Sequence, residues 1–139
     1  MDEGPKLNET KTFELSFRVQ PEDIDQMGHV NNVVYLRYAQ DAATAHWFAS
    51  ASREQVENSV WVVRRHEIDY LRPAFKDDDL LARTWVGEAT GATYERFVEI
   101  TRPGDNEVLA RVRSVWVLLD AKTRRPRRVT DELRSRFEV

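Results

Sequence analysis

The chain of 139 residues contains no cysteine. This absence excludes a disulfide framework, a thiolate nucleophile and a cysteine-based metal site, and it is typical of a protein in a reducing cytoplasm. No uninterrupted apolar run approaches the roughly 18 residues that suggest a membrane span. The first residues, MDEGPKLNET, lack the basic and apolar regions of a signal peptide. We therefore expect a cytoplasmic protein without a membrane partner.

An excess of positive charge is also lacking. The formal net charge is -3 and the isoelectric point is near 5.7, whereas dedicated nucleic-acid binders usually carry a strong basic excess. We expect no nucleic-acid partner. Only five Gly and five Pro are present, which leaves little low-complexity material. The composition predicts one globular domain over residues 11–139, preceded by a polar, frayed arm over residues 1–10.

The first half of the chain predicts a strand, a loop and a long helix. Apolar and polar residues alternate from Thr12 to Val19, as in a half-buried strand, and a polar loop follows from Glu22 to Gly28. An alanine-rich helix is predicted over residues 31–50, with Asn31 or Asn32 as its N-cap. Its polar residues form one narrow stripe, so most of its circumference is expected to be buried.

The second half is rich in β-pattern. Strands are predicted over residues 61–71, 80–88, 93–101 and 108–119, with a helical turn over 52–58 and a short final helix capped by Thr130. Strands in hairpin succession imply an antiparallel sheet. A helix that is apolar on most sides requires a sheet that curls around it, which predicts an α+β fold.

One segment, RVQPEDIDQMGHVNNVVY from Arg18 to Tyr35, carries a specific resemblance. Its Asp-x-Asp, its Gly-His-Val-Asn-Asn and the Tyr three residues later resemble the signature of hotdog-fold thioesterases of the 4-hydroxybenzoyl-CoA thioesterase-like family. The segments Ile68–Ala74 and Ser114–Asp120 resemble later strands of that family. The resemblance covers about residues 12–137. It implies a hotdog fold, in which a curved antiparallel β-sheet of about five strands wraps around one long central α-helix, and acyl-CoA thioesterase activity.

The resemblance also assigns the reacting groups. Asp25 matches the catalytic aspartate of the family, as either the nucleophile or the general base. The backbone N–H of Asn32 matches the donor that polarises the thioester carbonyl. Both roles agree with the chemistry, because hydrolysis needs a base or nucleophile, and the free amides of a helix N-terminus stabilise a developing oxyanion.

The residues around Asp25 have more than one interpretation. Gly28, Asn31 and Tyr35 are candidates for substrate binding, although Asn31 is first of all a capping residue. His29 either assists proton transfer, contacts the substrate or makes a structural hydrogen bond. Asp23 is expected to shape the loop or to make structural hydrogen bonds.

Other catalytic arrangements have little support. Asp41 lies on the helix, where another branch of hotdog thioesterases carries its carboxylate, but its spacing to Arg37 favours a surface ion pair. His46 and His66 do not form a metal-ligand spacing, and no phosphate-binding loop or Gly-x-Ser-x-Gly elbow is present. We therefore predict no metal. We also predict no cofactor, since hydrolysis needs none and coenzyme A is part of the substrate.

The run from Lys122 to Arg128 is the sharpest charge feature. The run has three interpretations. Its arginines could bind the phosphates of coenzyme A or attract an acidic acyl carrier protein, or the run could be a solvated turn. The first interpretation assigns phosphate binding to Arg124, Arg125, Arg127 and Arg128.

Three questions stay open at this level. The alternative functions are an acyl-carrier-protein thioesterase and a non-catalytic acyl-CoA-binding hotdog module. A hotdog dehydratase is disfavoured, because this sequence lacks the characteristic histidine motif in a matching place. The family implies a homodimer or homotetramer, with the active site at the subunit boundary. Six aromatic residues belong to either the pocket or the core, with the core as the default; they are Tyr35, Tyr38, Trp47, Trp61, Trp85 and Tyr94.

Overall fold

The computed structural model describes residues 11–139, so the predicted arm over residues 1–10 lies outside the described part. The strands and α-helices follow the predicted order, and each predicted boundary lies within two residues of the observed one; the 3-10 turn was not predicted. They are β1 (Phe13–Arg18), a 3-10 turn (Pro21–Asp23), α1 (Asn32–Ser50), α2 (Arg53–Asn58), β2 (Ser59–Tyr70), β3 (Asp79–Thr90), β4 (Thr93–Arg102), β5 (Glu107–Asp120) and α3 (Asp131–Arg134).

The five strands form one antiparallel sheet in the order β1-β3-β4-β5-β2, which leaves β1 and β2 at its edges. Helix α1 lies on one face of the sheet, where its backbone approaches β1, β3, β4 and β5, while β2 contacts it through side chains such as Trp61 and Tyr70. This arrangement confirms the predicted α+β architecture, with one long helix on a five-stranded antiparallel sheet. No helix among residues 11–139 is long and apolar enough to cross a membrane.

Side chains at the helix N-termini act as predicted. The Asn31 side chain accepts a hydrogen bond from the Val33 N–H at 3.1 Å, so Asn31 caps α1. Thr130 caps α3 in the same way through the Leu133 N–H. Such caps satisfy amides that have no partner within the helix, and each contributes about 1 kcal/mol.

The buried face of α1 is narrower than predicted. The sheet covers one side of the helix, and the residues it buries are Tyr35, Tyr38, Ala39, Ala42, Ala43 and His46. Val33 and Phe48 remain 69% and 62% exposed. The prediction that most of the circumference is buried is therefore wrong for a single chain, because the sheet covers only one side of α1.

The core consists of two clusters. The larger one joins the first half of α1 to the middle of the sheet, and the smaller one joins the sheet to the C-terminal segment around Leu133 and Phe137. Trp85 departs from its default assignment, because it lies on the sheet face opposite to α1 and stacks on Phe97 with ring centroids 5.8 Å apart. Alternation along a strand separates two faces but does not say which one meets the helix.

Candidate active site

The loop before α1 is closed by its own backbone. Ile24 and Val30 form an isolated antiparallel bridge, and the Asp25 N–H donates to the His29 carbonyl at 2.9 Å. The Gly28 N–H donates to the Asp25 carbonyl at 3.1 Å. Gly28 has φ +85, a conformation that L side chains rarely adopt, which explains the glycine at this turn. The loop therefore presents Asp25 in a defined position.

The Asp25 carboxylate is partly exposed and only partly engaged. Its Oδ1 accepts a hydrogen bond from the Met27 N–H at 2.8 Å, and 26% of its side chain is exposed. Among residues 11–139, no group donates a hydrogen bond to its Oδ2. The His29 Nδ1 lies 3.9 Å from Asp25 Oδ1, beyond hydrogen-bond distance, and is 3.3 Å from the Val30 carbonyl. One carboxylate oxygen is thus available to a substrate or to water.

The start of α1 offers one amide. Asn31 receives the Val33 N–H on its side chain and the Val34 N–H on its carbonyl. Within the described part of the chain, the Asn32 N–H has no acceptor. The Asn32 carbonyl in turn accepts from the Tyr70 hydroxyl at 3.1 Å. The Asn32 amide is therefore free at the positive end of a 19-residue helix.

These groups face two neighbouring depressions. Asp25 and Asn31 line one of them, together with Met27. His29, Asn32 and Tyr35 line the other, which has a volume of about 210 Å³. A single chain therefore brings the predicted catalytic and substrate-binding residues to one end of α1. It does not place Asp25 and the Asn32 amide in one shared depression.

Asp23 anchors this loop to the helix. It is 1% exposed, and it accepts hydrogen bonds from the Gln20 N–H at 3.0 Å, the Arg37 Nη2 at 2.9 Å and the Tyr38 hydroxyl at 2.8 Å. Burial by itself raises the pKa of a carboxyl group, but the hydrogen bonds from Gln20, Tyr38 and Arg37 outweigh it and lower the pKa of Asp23. The predicted hydrogen-bonding role of Asp23 is confirmed.

Tyr35 makes a structural connection. Its hydroxyl accepts from the Ala74 N–H at 3.1 Å and lies 3.5 Å from the Arg72 carbonyl. Burial raises the pKa of Tyr35 above its usual value. The hydroxyl joins α1 to the segment after β2, while the residue still borders the depression that His29 and Asn32 line.

Asp41 lies away from these groups. Its side chain is 60% exposed and stands 3.9 Å from Arg37 Nε. Arg37 itself is hydrogen-bonded to Asp23. The surface interpretation of Asp41 agrees with this geometry.

The basic run lies at the other end of the molecule. It forms the turn after β5, where Asp120 accepts from the Lys122 and Thr123 N–H groups, and Arg127 bonds to Ser59 at 2.7 Å. The 12 residues of β2 separate Ser59 from the Asp25 end and span about 36 Å at roughly 3.3 Å per residue. Arg124, Arg125 and Arg128 are exposed, but one chain does not bring them to Asp25.

The histidines inside the molecule have polar partners. His46 contacts Arg96 at 3.0 Å, and His66 contacts Ser114 at 2.6 Å. No group of three or more His, Cys, Asp or Glu side chains suited to a metal occurs among residues 11–139.

Sequence reasoning missed Arg96. In β4 the inward positions are Tyr94, Arg96, Val98 and Ile100, and all four are buried. A charged residue in the apolar register of an alternating strand is the signal that identifies it.

The fold and the loop define a hotdog-type thioesterase architecture. The chain belongs to the Thioesterase-like superfamily, whose family model matches residues 19–137.

Two curated proteins and one crystal structure illustrate the relationship. The chain is 25% identical over 131 residues to the long-chain acyl-CoA thioesterase FadM of Escherichia coli, covering 91% of this chain and 97% of FadM. It is 32% identical over 79 residues to a chloroplastic palmitoyl-acyl carrier protein thioesterase of Cuphea hookeriana, covering 57% of this chain and 19% of that protein. The chain thus matches about a fifth of the length of this plant relative. The crystal structure of a thioesterase complexed with coenzyme A and Zn from Thermus thermophilus superposes with a TM-score of 0.77 at 26% identity, covering 88% of this chain and 89% of that one.

Proposed function

We propose that this protein hydrolyses acyl-CoA thioesters to the free acid and coenzyme A, with Asp25 as nucleophile or general base. The observation that carries the proposal is the Asp25 carboxylate, which a closed loop presents at the start of α1 with one oxygen that receives no hydrogen bond from residues 11–139. The similarity to FadM over nearly the full length of both chains supports a coenzyme A substrate. The Thermus thermophilus relative complexed with coenzyme A supports the same class.

The chemistry requires only groups of the chain and water. As a general base, Asp25 takes a proton from water while the water oxygen attacks the thioester carbon. As a nucleophile, Asp25 attacks that carbon itself and forms an anhydride, which water then cleaves. In both routes the Asn32 N–H stabilises the oxyanion, the C–S bond breaks, and the thiolate of coenzyme A leaves and is protonated. No cofactor takes part.

The proposed site is completed by a second copy of the chain. Asp25 and the Asn32 amide line separate depressions within one chain, so a partner that covers both would join them into one cleft. Val33 and Phe48 on α1 and Val62 on the free edge strand β2 are exposed apolar residues suited to such a contact. A homodimer or homotetramer would also bring the basic turn of another copy toward the bound coenzyme A.

A carrier-protein substrate is the second candidate. The match to the Cuphea hookeriana palmitoyl-acyl carrier protein thioesterase favours it, as do the exposed Arg124, Arg125 and Arg128, which suit an acidic protein surface. A non-catalytic acyl-CoA-binding module is disfavoured, because the carboxylate at Asp25 is retained.

Hydrolysis of a panel of acyl-CoA thioesters, followed by release of free thiol, tests the proposal. Asp25→Asn keeps the side-chain size and removes the base, so kcat/KM should fall by about 100-fold or more. Asp41→Asn is the matched control, because it neutralises an exposed carboxylate on α1 and should leave activity unchanged. Equal activity of Asp25→Asn and wild type would refute the assignment of Asp25. Hydrolysis of acyl-carrier-protein thioesters alone would favour the second candidate.

A further inference from the structure

An apolar pocket of about 330 Å³ lies between the C-terminal half of α1 and the inner face of the sheet. Six of the 13 residues that line it are aromatic; they are Trp47, Phe48, Trp61, Tyr94, Trp116 and Phe137. A pocket of this size and character suits a hydrocarbon segment. Two charged residues, Glu95 and Arg96, also border it, and Arg96 lies on the inner face of the sheet.

Arg96 is buried without a carboxylate partner. It is 8% exposed, and its Nη1 donates to the His46 Nδ1 at 3.0 Å and to the Thr84 Oγ1 at 2.9 Å. No Asp or Glu within residues 11–139 forms an ion pair with it. The adjacent Glu95 points to the other sheet face, where its carboxylate is bonded to Arg113 at 2.6 Å. The remaining donors of Arg96, Nε and Nη2, have no acceptor among the described residues.

Among residues 11–139 no anionic side chain pairs with the positive charge of Arg96, although its guanidinium carbon lies 6.0 Å from the centroid of the Phe137 ring in a cation–π contact. Burial lowers the pKa of Arg96 to about 10, which still leaves it protonated at neutral pH. Burial and the Arg96 charge together lower the pKa of His46 to about 4, so His46 is a neutral acceptor. Thr84 is neutral as well. A buried, uncompensated charge is costly in a folded protein and calls for an anionic or strongly accepting partner.

The pocket residues supply two further donors. The indole N–H groups of Trp61 and Trp116 are buried and have no hydrogen-bond partner among residues 11–139. Native structures rarely leave such groups without an acceptor. Together with Arg96, they make this part of the molecule rich in donors that residues 11–139 do not satisfy.

The pocket lies along the same helix as the Asp25 end. Ala43 and Trp47 line the pocket and stand 11 and 15 residues beyond Asn32, or roughly 17 to 23 Å along α1 at about 1.5 Å per residue. The depression at Asn32 includes Tyr70 of β2, and the pocket includes Trp61 of the same strand. Both therefore lie at the boundary between α1 and β2, and an acyl chain that joined them would run along this boundary.

We propose that this pocket binds the far end of the acyl group, and that Arg96 makes the protein prefer acyl groups that carry a carboxylate, or less strongly a hydroxyl, at that end. This inference rests on the proposed thioesterase function. Arg96 supplies the charge and two free donors, while the aromatic wall holds the carbon chain. Arg96 is a specificity residue and takes no part in breaking the thioester bond.

The first test compares long acyl-CoA substrates of equal chain length that end in a methyl, a hydroxyl or a carboxylate. For the wild type, kcat/KM should be about tenfold or more higher for the carboxylate than for the methyl end, with the hydroxyl between them. Arg96→Met should remove or reverse this order, whereas Arg96→Lys, which keeps the charge, should retain part of it. Arg111→Met is the control. Arg111 is an exposed arginine on β5, next to β4, and it pairs with Glu99 of β4.

The second test measures binding without turnover. In the Asp25→Asn background, tryptophan fluorescence reports on the pocket, because Trp47, Trp61 and Trp116 line it. The carboxylate-ended acyl-CoA should bind about tenfold more tightly than the methyl-ended one, and adding Arg96→Met should abolish the difference. Equal or tighter binding of the methyl-ended ligand to wild-type Arg96 overturns the inference, even if hydrolysis is normal. If binding discriminates between the two ligands as expected but the wild type hydrolyses no thioester, the proposed function is refuted instead.

Discussion

Asp23 provides the sharpest test of how this loop is held against the helix. Its buried carboxylate accepts from a backbone amide, a tyrosine hydroxyl and a guanidinium, on Gln20, Tyr38 and Arg37. The substitution Asp23→Asn keeps the shape and one acceptor oxygen but removes the negative charge. It isolates the electrostatic contribution of this carboxylate to folding.

The expected loss follows from these three bonds. The bonds from Gln20 and Tyr38 change from charged to neutral acceptors, which weakens each by about 1 kcal/mol. The bond from Arg37 is lost, but Arg37 is half exposed, so water replaces much of it and the cost is about 0 to 1 kcal/mol. The free energy of unfolding should therefore fall by about 2 to 3 kcal/mol near pH 7.

The pH dependence of this stability difference provides a second test. Because the folded protein lowers the pKa of Asp23, its contribution is complete above the unfolded pKa of about 3.9 and is lost as pH falls toward the lower folded value. Urea unfolding of wild type and Asp23→Asn should thus show a gap at pH 7 that narrows below about pH 4. Asp41→Asn is the control and should change stability little, since Asp41 is exposed. A gap that is absent at pH 7, or unchanged at about pH 3, contradicts the reasoning.

Two further variants test residues other than the proposed reacting groups. Tyr35→Phe leaves the buried Ala74 N–H without its acceptor and should lower the free energy of unfolding by about 1 to 3 kcal/mol in urea titrations; a change under about 0.3 kcal/mol would show that this bond is unimportant. The double substitution Arg124→Gln/Arg125→Gln should raise KM for acyl-CoA several-fold at low salt and leave kcat unchanged, if the basic turn of another copy holds the phosphates. An unchanged KM would favour a solvated turn, and Arg83→Gln, an exposed arginine elsewhere, is the matched control.

Local patterns in the sequence predict the elements of this protein well. Alternation between Thr12 and Val19 corresponds to β1, and Asn31 and Thr130 cap the helices for which they were assigned. These features depend on neighbours in the chain, through side-chain periodicity and hydrogen bonds over two or three residues. The motif from Asp23 to Tyr35 likewise predicts that its residues gather at the start of α1, because only a short loop separates them.

The tertiary structure decides how distant segments meet. It leaves Val33 and Phe48 exposed and places Trp85 on the outer face of the sheet. It also brings Arg96 to His46, 50 residues earlier in the chain, with no carboxylate beside them among residues 11–139. Periodicity identifies two faces of a strand or helix, but strand order and register determine which face is covered and which side chains become neighbours. Local patterns were therefore enough to predict the elements and to nominate the residues of the candidate site, whereas the packing of α1 on the sheet produced the pocket and the environment of Arg96.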